Sequence, residues 1–307
     1  MRRWPRATHT ATGNHSMAAI LRRTIPALSL AHWSRTGVCC LLLIAGMLNA
    51  NRAQASEEPL WEIGLGIGVV NFPAWRGADS SSNFTAPLPY VAWRGERFRA
   101  DRDGARGLLV DRPRLEIDVS FDGAVPVDSD DNDAREGMDD LAPILEGGPS
   151  INWLLHEANH GLWRLRLPLR AAISIDDDSL NDHGWTATPM LNYRTRRSRT
   201  DWHFGASLGP RFASRRYHAY YYDVSEDDAT AQRPAYNASS GYSGSTLMLS
   251  ASHRIDRVWA GVFMRYDYLD GAAFEDSPLV QTRHAVLVGL GFSVVLWQSD
   301  RTVPIRP

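Results

Sequence analysis

The sequence predicts an all-β fold, an antiparallel transmembrane β-barrel of about 12 strands with 10 as the alternative count, and three observations predict it. Apolar and polar residues alternate with a period of two through long segments. The links between those segments alternate between short and long. An apolar run near the N-terminus reads as an export signal. The averages of the 307-residue chain, 44% hydrophobic and 22% charged, fit many soluble proteins and decide little.

The leader comes first. Residues 1–55 hold seven arginines (Arg2, Arg3, Arg6, Arg22, Arg23, Arg35, Arg52) and no Asp or Glu, which leaves 26 basic against 35 acidic residues, a net charge of −9. An acidic remainder argues against nucleic acid as a partner. The eleven apolar residues 38–48 follow arginines and precede Ala53-Gln54-Ala55, a small-x-small signal that predicts cleavage after Ala55. The run falls short of the ~20 residues of a spanning helix. Met17 offers a second start that would give a more usual leader. Both cysteines, Cys39 and Cys40, lie in this region, so the remainder has neither a disulfide framework nor a thiolate nucleophile. The expected organisation is a cleaved secretory signal at 1–55 and a barrel over 56–307 with a short C-terminal tail, 298–307.

The strands follow in order. Trp61, Ile63, Leu65, Ile67 and Val69 alternate with Glu62, Gly64, Gly66 and Gly68, predicting a strand over 60–72. A second covers 84–94, and segment 96–112 reads as a short hairpin. Over 114–126, Leu115, Ile117, Val119 and Phe121 oppose Glu116, Asp118, Ser120 and Asp122. After a strand at 141–156, the segment 161–176 sets Trp163, Leu165, Leu167 and Leu169 against Arg164, Arg166 and Arg170, and three arginines on one face cannot point into a dry core. Strands at 184–197, 201–216, 242–254, 257–270 and 282–297 complete the series. They exceed the about 5 to 6 residues of ordinary strands and suit the ~9 to 11 that cross a bilayer at a tilt. Short links at Arg94-Gly95-Glu96, 157–160, 197–200 and Ile255-Asp256 alternate with longer polar stretches near 73–83, 127–140, 176–183, 223–241 and 271–281. Short periplasmic turns and long outer loops have this pattern. An open edge in hydrocarbon would leave backbone groups unpaired at several kcal/mol each, so the sheet is expected to close.

Inside the ring, Glu62, Glu116, Asp118, Asp122, Arg164, Arg166, Arg170, Arg194, Arg211, Arg265 and Asp267 are expected to face the lumen. A narrow barrel pairs such charges and occludes itself, which is the favoured reading; a wider one uses them as a selectivity lining. Two motifs invite metal chemistry. His156-Glu157-Ala158-Asn159-His160 spells H-E-x-x-H, but a zinc site needs both histidines on one helix face, and these residues separate two strands. Asp128 to Asp133 opens like a calcium loop but has Asp133 where the turn needs Gly. His203 and Ser207 share a strand face yet stand about 13 Å apart, too far for a nucleophile and its base. No catalytic residue, cofactor or dedicated metal site is expected. Acidic loops at Asp176-Asp177-Asp178, Glu226-Asp227-Asp228 and Glu275-Asp276 beside lipopolysaccharide predict nonspecific bridging by divalent ions.

Certain residues carry a family likeness. Pro73 to Asp79 (PAWRGAD), then Ala86 to Tyr90 (APLPY) and Arg94-Gly95, resemble the opening of the MipA/OmpV family, the MltA-interacting outer-membrane proteins. Tyr217 to Val224 (YHAYYYDV), Arg233 to Tyr236, Gly241, and Gly271 to Val280 (GAAFEDSPLV) resemble its later segments, in order. The chain departs from the pattern at Trp75-Arg76-Gly77-Ala78-Asp79, where the family more often has Tyr-x-Gly-Ser-Asp, and in the residues that follow Trp297. The resemblance implies a Gram-negative outer-membrane barrel, bathed in outer-membrane lipid and lipopolysaccharide. It also implies a non-catalytic scaffold joining a lytic transglycosylase to a peptidoglycan synthase. Arg94, Glu96, His156, Glu157, His160, Arg197, Arg199, Arg254 and Asp256 on the periplasmic turns are the candidate partner contacts. The alternative is a narrow channel for small solutes or antibiotics.

Overall fold

Alternation makes the strands, and register makes the ring. The computed structural model describes residues 57–101, 104–158, 160–176, 179–195 and 202–304. The signal region 1–55, Asp177, Asp178, Arg197 and Arg199 lie outside the described residues. The strands are β1 (Glu57–Pro59), β2 (Trp61–Pro73), β3 (Ser81–Arg94), β4 (Phe98–Asp101), β5 (Gly104–Arg112), β6 (Leu115–Ala124), β7 (Ile144–Ala158), β8 (Gly161–Asp176), β9 (Ser179–Ala187), β10 (Met190–Thr195), β11 (Trp202–Ala213), β12 (Gly241–Ile255), β13 (Val258–Tyr268), β14 (His284–Gln298) and β15 (Thr302–Pro304). From β2 to β9, and again from β10 to β14, each pairs antiparallel with the next. β9 and β10 both lie between β8 and β11, so they are one stave interrupted at Thr188-Pro189, where proline lacks the N–H a ladder needs. β14 returns to β2, with Leu290 opposite Val69, and the 12-stave ring closes.

The pairing assigns the faces. Ile63, Leu65, Ile67 and Val69 stand opposite Val91, Pro89, Pro87 and Thr85 on β3, and opposite Trp297, Val294, Phe292 and Leu290 on β14. This row is exposed and continues around the ring through Phe121, Ile151, Leu167, Leu191, Phe204, Leu208 and Val262. A contiguous apolar belt of this extent belongs in lipid. The intervening residues face inward; on β2 they are Glu62, Gly64, Gly66 and Gly68, while β3, β13 and β14 add apolar side chains such as Leu88, Trp259, Phe263 and Val295.

Two segments differ from the sequence reading. The strand expected to reach residue 216 stops at Ala213, and α1 (Arg215–Tyr222) follows, capped by Ser214, whose Oγ accepts from the Tyr217 N–H. Tyr217 and Tyr221, and likewise His218 and Tyr222, are four apart and so share one helical face, a period invisible to a period-two reading. The expected loop at 176–183 is mostly strand, because β8 and β9 pair out to Asp176 and Ser179. The short hairpin at 96–112 forms as β4 and β5. The C-terminal tail folds back, and β15 pairs with β1, Val303 opposite Glu58.

Candidate functional site

Inward-facing charges come together as several acid–base clusters. Nearest the chain ends, Glu62 on β2 is wholly buried. Its Oε1 accepts from Arg254 Nη2 at 2.6 Å, and its Oε2 accepts from Arg254 Nη1 at 2.9 Å, Arg94 Nη2 at 3.0 Å and the Tyr90 hydroxyl at 3.2 Å. Arg94 also meets Glu58 at 2.7 Å and donates to the Pro59 carbonyl at 2.9 Å. β2 and β12 are separated by β13 and β14, so the Glu62–Arg254 pair is a chord across the lumen.

Arg99, the strand partner of Arg94, bonds Asp111 at 2.6 Å and Glu116 at 3.0 Å, with Arg106 on Glu116 at 3.4 Å. Asn152 donates to Asp118 at 2.8 Å, and Arg170 reaches Asp122 at 3.2 Å and Ser120 at 3.1 Å. At the loop end, Glu146 accepts from Arg211 at 2.5 Å, Thr186 at 2.8 Å and Tyr217 at 3.0 Å. Asp267 there meets Arg265 at 2.8 Å and Arg76 at 3.3 Å. Arg164, Arg166 and Arg194 take inward positions on β8 and β10, alternating with outward Trp163 and Tyr193. Across these clusters, acids and bases hold one another.

The loops build a lid on this end. Trp75 Nε1 donates to the Leu279 carbonyl at 3.0 Å, the Tyr222 hydroxyl to Arg76 O at 2.7 Å, Ser277 Oγ to Tyr222 O at 2.7 Å, and the Tyr220 hydroxyl to Ala142 O at 2.8 Å. Phe274 stacks on Tyr222 with ring centroids 3.6 Å apart, and Arg135 lies 5.8 Å over the Trp75 ring. Four separate loops thus share one buried cluster that includes Trp75, Tyr217, Tyr221, Tyr222, Leu269 and Phe274.

His218 is the buried polar centre of that lid. Nδ1 faces the Ser239 carbonyl at 2.6 Å, which can only accept, so Nδ1 carries the proton and Nε2 accepts from the Ser243 hydroxyl. Sequence reading missed this pair, because 25 residues separate its members and the tyrosine-rich segment that holds His218 says nothing of Ser243. Burial pushes the His218 pKa down, and Arg76 and Arg211 push the same way against the Ser239 carbonyl. A histidine whose folded pKa lies below 6.5 binds fewer protons folded than unfolded, so its effect on stability is absent above about pH 6.5 and grows as pH falls below it. Acidification from pH 7.5 to 5 is expected to raise protease cutting in 223–240, and His218→Gln to flatten that dependence; an equal rise in the variant would assign the effect elsewhere.

The metal-like motifs take other forms. His156 lies on β7 opposite Trp163 of β8, beside a register shift after Leu154, and Asn159 lies outside the described residues. The acidic segment forms a 3₁₀ turn (Ser129–Asp131) in which Asp128 accepts from Asp130 N–H at 3.0 Å and Asp130 from Gly137 N–H at 3.3 Å, so carboxylates serve the loop's own backbone. Among the described residues, no group of three or more His, Cys, Asp or Glu is arranged to hold a metal. On the periplasmic turns, Glu96, His156, Glu157, His160 and Asp256 are exposed, whereas Arg94 and Arg254 turn inward onto Glu62.

A family model described as MltA-interacting protein MipA matches residues 65–295. No curated protein matches the chain. Among solved structures, it is similar to outer membrane phospholipase A from Escherichia coli, at 10% identity over 82% of this chain and 96% of that chain, TM-score 0.32. It is also similar to the toluene transporter TbuX of Ralstonia pickettii, at 10% identity over 80% and 71%, TM-score 0.25. A Pseudomonas aeruginosa FadL homologue is similar at 8% identity over 77% and 90%, TM-score 0.29.

Proposed function

The chain belongs to the MltA-interacting protein MipA family, and from that premise we propose that this outer-membrane barrel is a non-catalytic scaffold for peptidoglycan-remodelling enzymes. The partners are a lytic transglycosylase, which the family's name points to, and a peptidoglycan synthase. The observations that carry the reading are the Glu62 cluster at one end and the buried loop cluster at the other, which together support a lumen occluded at both ends. A barrel shut in this way gains nothing from its interior as a conduit, which favours scaffold over channel. Its useful surface is then the periplasmic side, where Glu96, His156, Glu157, His160 and Asp256 lie on the turns. Arg197 and Arg199, which lie outside the described residues, are proposed as partner contacts from sequence alone. Secretion after cleavage at Ala55 delivers the chain, and lipopolysaccharide, bridged to the acidic loops by divalent ions, surrounds its outer rim.

Folded protein in detergent is expected to retain a lytic transglycosylase on an affinity column. Replacement of the 157–160 and 255–257 turns by Gly-Ser should reduce retention at least tenfold, with heat-modifiable migration unchanged. Undiminished retention would remove these turns from the interface. Steady ion conductance of the unaltered protein in planar bilayers would favour the channel instead.

A further inference from the structure

The wall of the ring is incomplete along one stave. β3 pairs with β2 over its whole length, from Pro73–Ser81 to Trp61–Trp93, but with β4 only at Trp93 and Arg94. β4 ends at Asp101 and β5 starts at Gly104, so the neighbouring hairpin covers only the lower end of β3. Between Ser81 and Ala92 the other edge of β3 has no ladder partner among the described residues.

The orientation of that edge follows from one hydrogen bond. Arg94 N–H donates to Leu60 O, so even-numbered residues of β3 direct their backbone groups to β2. The ladder shows no register shift, so odd-numbered residues direct theirs to the open edge. Pro87 and Pro89 are odd. Two of the donors that would face the gap are therefore missing by composition, the placement that proline tolerates on a strand edge and that discourages another strand from adding there.

The gap opens into hydrocarbon. Residues 85–91 stand opposite Val69, Ile67, Leu65 and Ile63, whose outward side chains lie in the lipid belt, so about 20 Å of edge lies at that depth. Behind it the lumen wall is apolar. Phe84 and Leu88 point inward by parity yet remain 58% and 40% exposed, whereas inward Ser293 and Val295 on β14 are buried. Leu88 lies over Gly68, 2.4 Å from where a Cβ would stand, and reaches Gly291. The Trp259 and Phe263 rings lie over Gly261 and Gly289 in the same way. Glycine at these positions leaves room for side chains to lie flat, so β13, β14, β2 and β3 present a smooth apolar trough, in contrast to the charged wall opposite.

We infer that this seam is a lateral binding site for one hydrocarbon chain of a membrane amphiphile, which enters between β3 and the β4–β5 hairpin and rests on Phe84, Leu88, Trp259 and Phe263. The occupant is set by position. The gap faces acyl chains, its prolines discourage a strand from a second copy, and the Glu62 cluster stops passage toward the periplasm. The inference rests on the ring and its register, independently of the scaffold reading.

The test uses folded full-length protein in phosphatidylcholine nanodiscs with a fatty acid bearing a diazirine near its tail. After irradiation, mass spectrometry should place label on inward Phe84, Leu88 or Phe263 as well as on outward Ile67 and Val91. Ala86→Trp, which fills the trough side of the seam, should lower inward labelling at least tenfold with outward labelling unchanged; Leu88→Gln provides a second variant of unaltered bulk. Label confined to outward residues would reduce the site to boundary lipid and overturn the inference. Covalent pairs of chains joined through 85–91 would overturn it in favour of edge pairing between copies.

Discussion

Glu62→Gln is expected to lower the unfolding free energy of the barrel by about 3 to 5 kcal/mol, the cost of removing one member of a buried ion cluster. The carboxylate is wholly buried, and both its oxygens accept from arginines that arrive from different staves. Gln leaves Arg94 and Arg254 facing each other without the charge that holds them, although Arg94 keeps Glu58. Urea unfolding in lipid vesicles, followed by tryptophan emission, measures the loss. The variant with Leu at 62 and Met at 94 and 254 should recover most of it, since a well-packed apolar replacement of a buried ion cluster is often neutral or better. A loss under about 1 kcal/mol in Glu62→Gln would mean that water reaches the cluster and screens it.

Phe274→Ala is expected to act at the other end and on a different observable. The side chain is buried, stacks on Tyr222 and meets His218 edge-on, so truncation should cost the lid about 3 to 5 kcal/mol. The loss belongs to the lid, because β11 to β14 keep their ladders without it. Limited proteolysis should therefore cut 223–240 and 271–281 faster, while heat-modifiable migration of the barrel stays unchanged. On the proposed occlusion of both ends, neither single variant should conduct in planar bilayers, whereas Glu62→Gln combined with Phe274→Ala should. Conductance from either variant alone would show that the intact end was not sealing the lumen.

Alternation made the staves readable, because each side chain's environment in a barrel wall is fixed by parity. The pairing of β7 with β8 and of β12 with β13 follows from links too short for anything else. What crosses the lumen was not readable. Glu62 and Arg254 are 192 residues apart, and parity says that both face inward without saying that they meet. α1 escaped because eight residues with aromatics four apart also satisfy a loose reading as loop or strand end. Pro87 and Pro89 stood in plain view, but which way their nitrogen points depends on the β2–β3 register, and only then do they mark an edge. Arg94 and Arg254 were read as turn residues because they border the turns; the acid that draws them in lies on another stave.

The ladder between β1 and β15 sets the first and last described residues side by side, Glu57 against Pro304. A ring whose two ends already touch has no intrinsic seam in sequence order. A short linker between those ends, with a new opening in the 125–143 loop, would reorder the polypeptide while leaving every stave its neighbours.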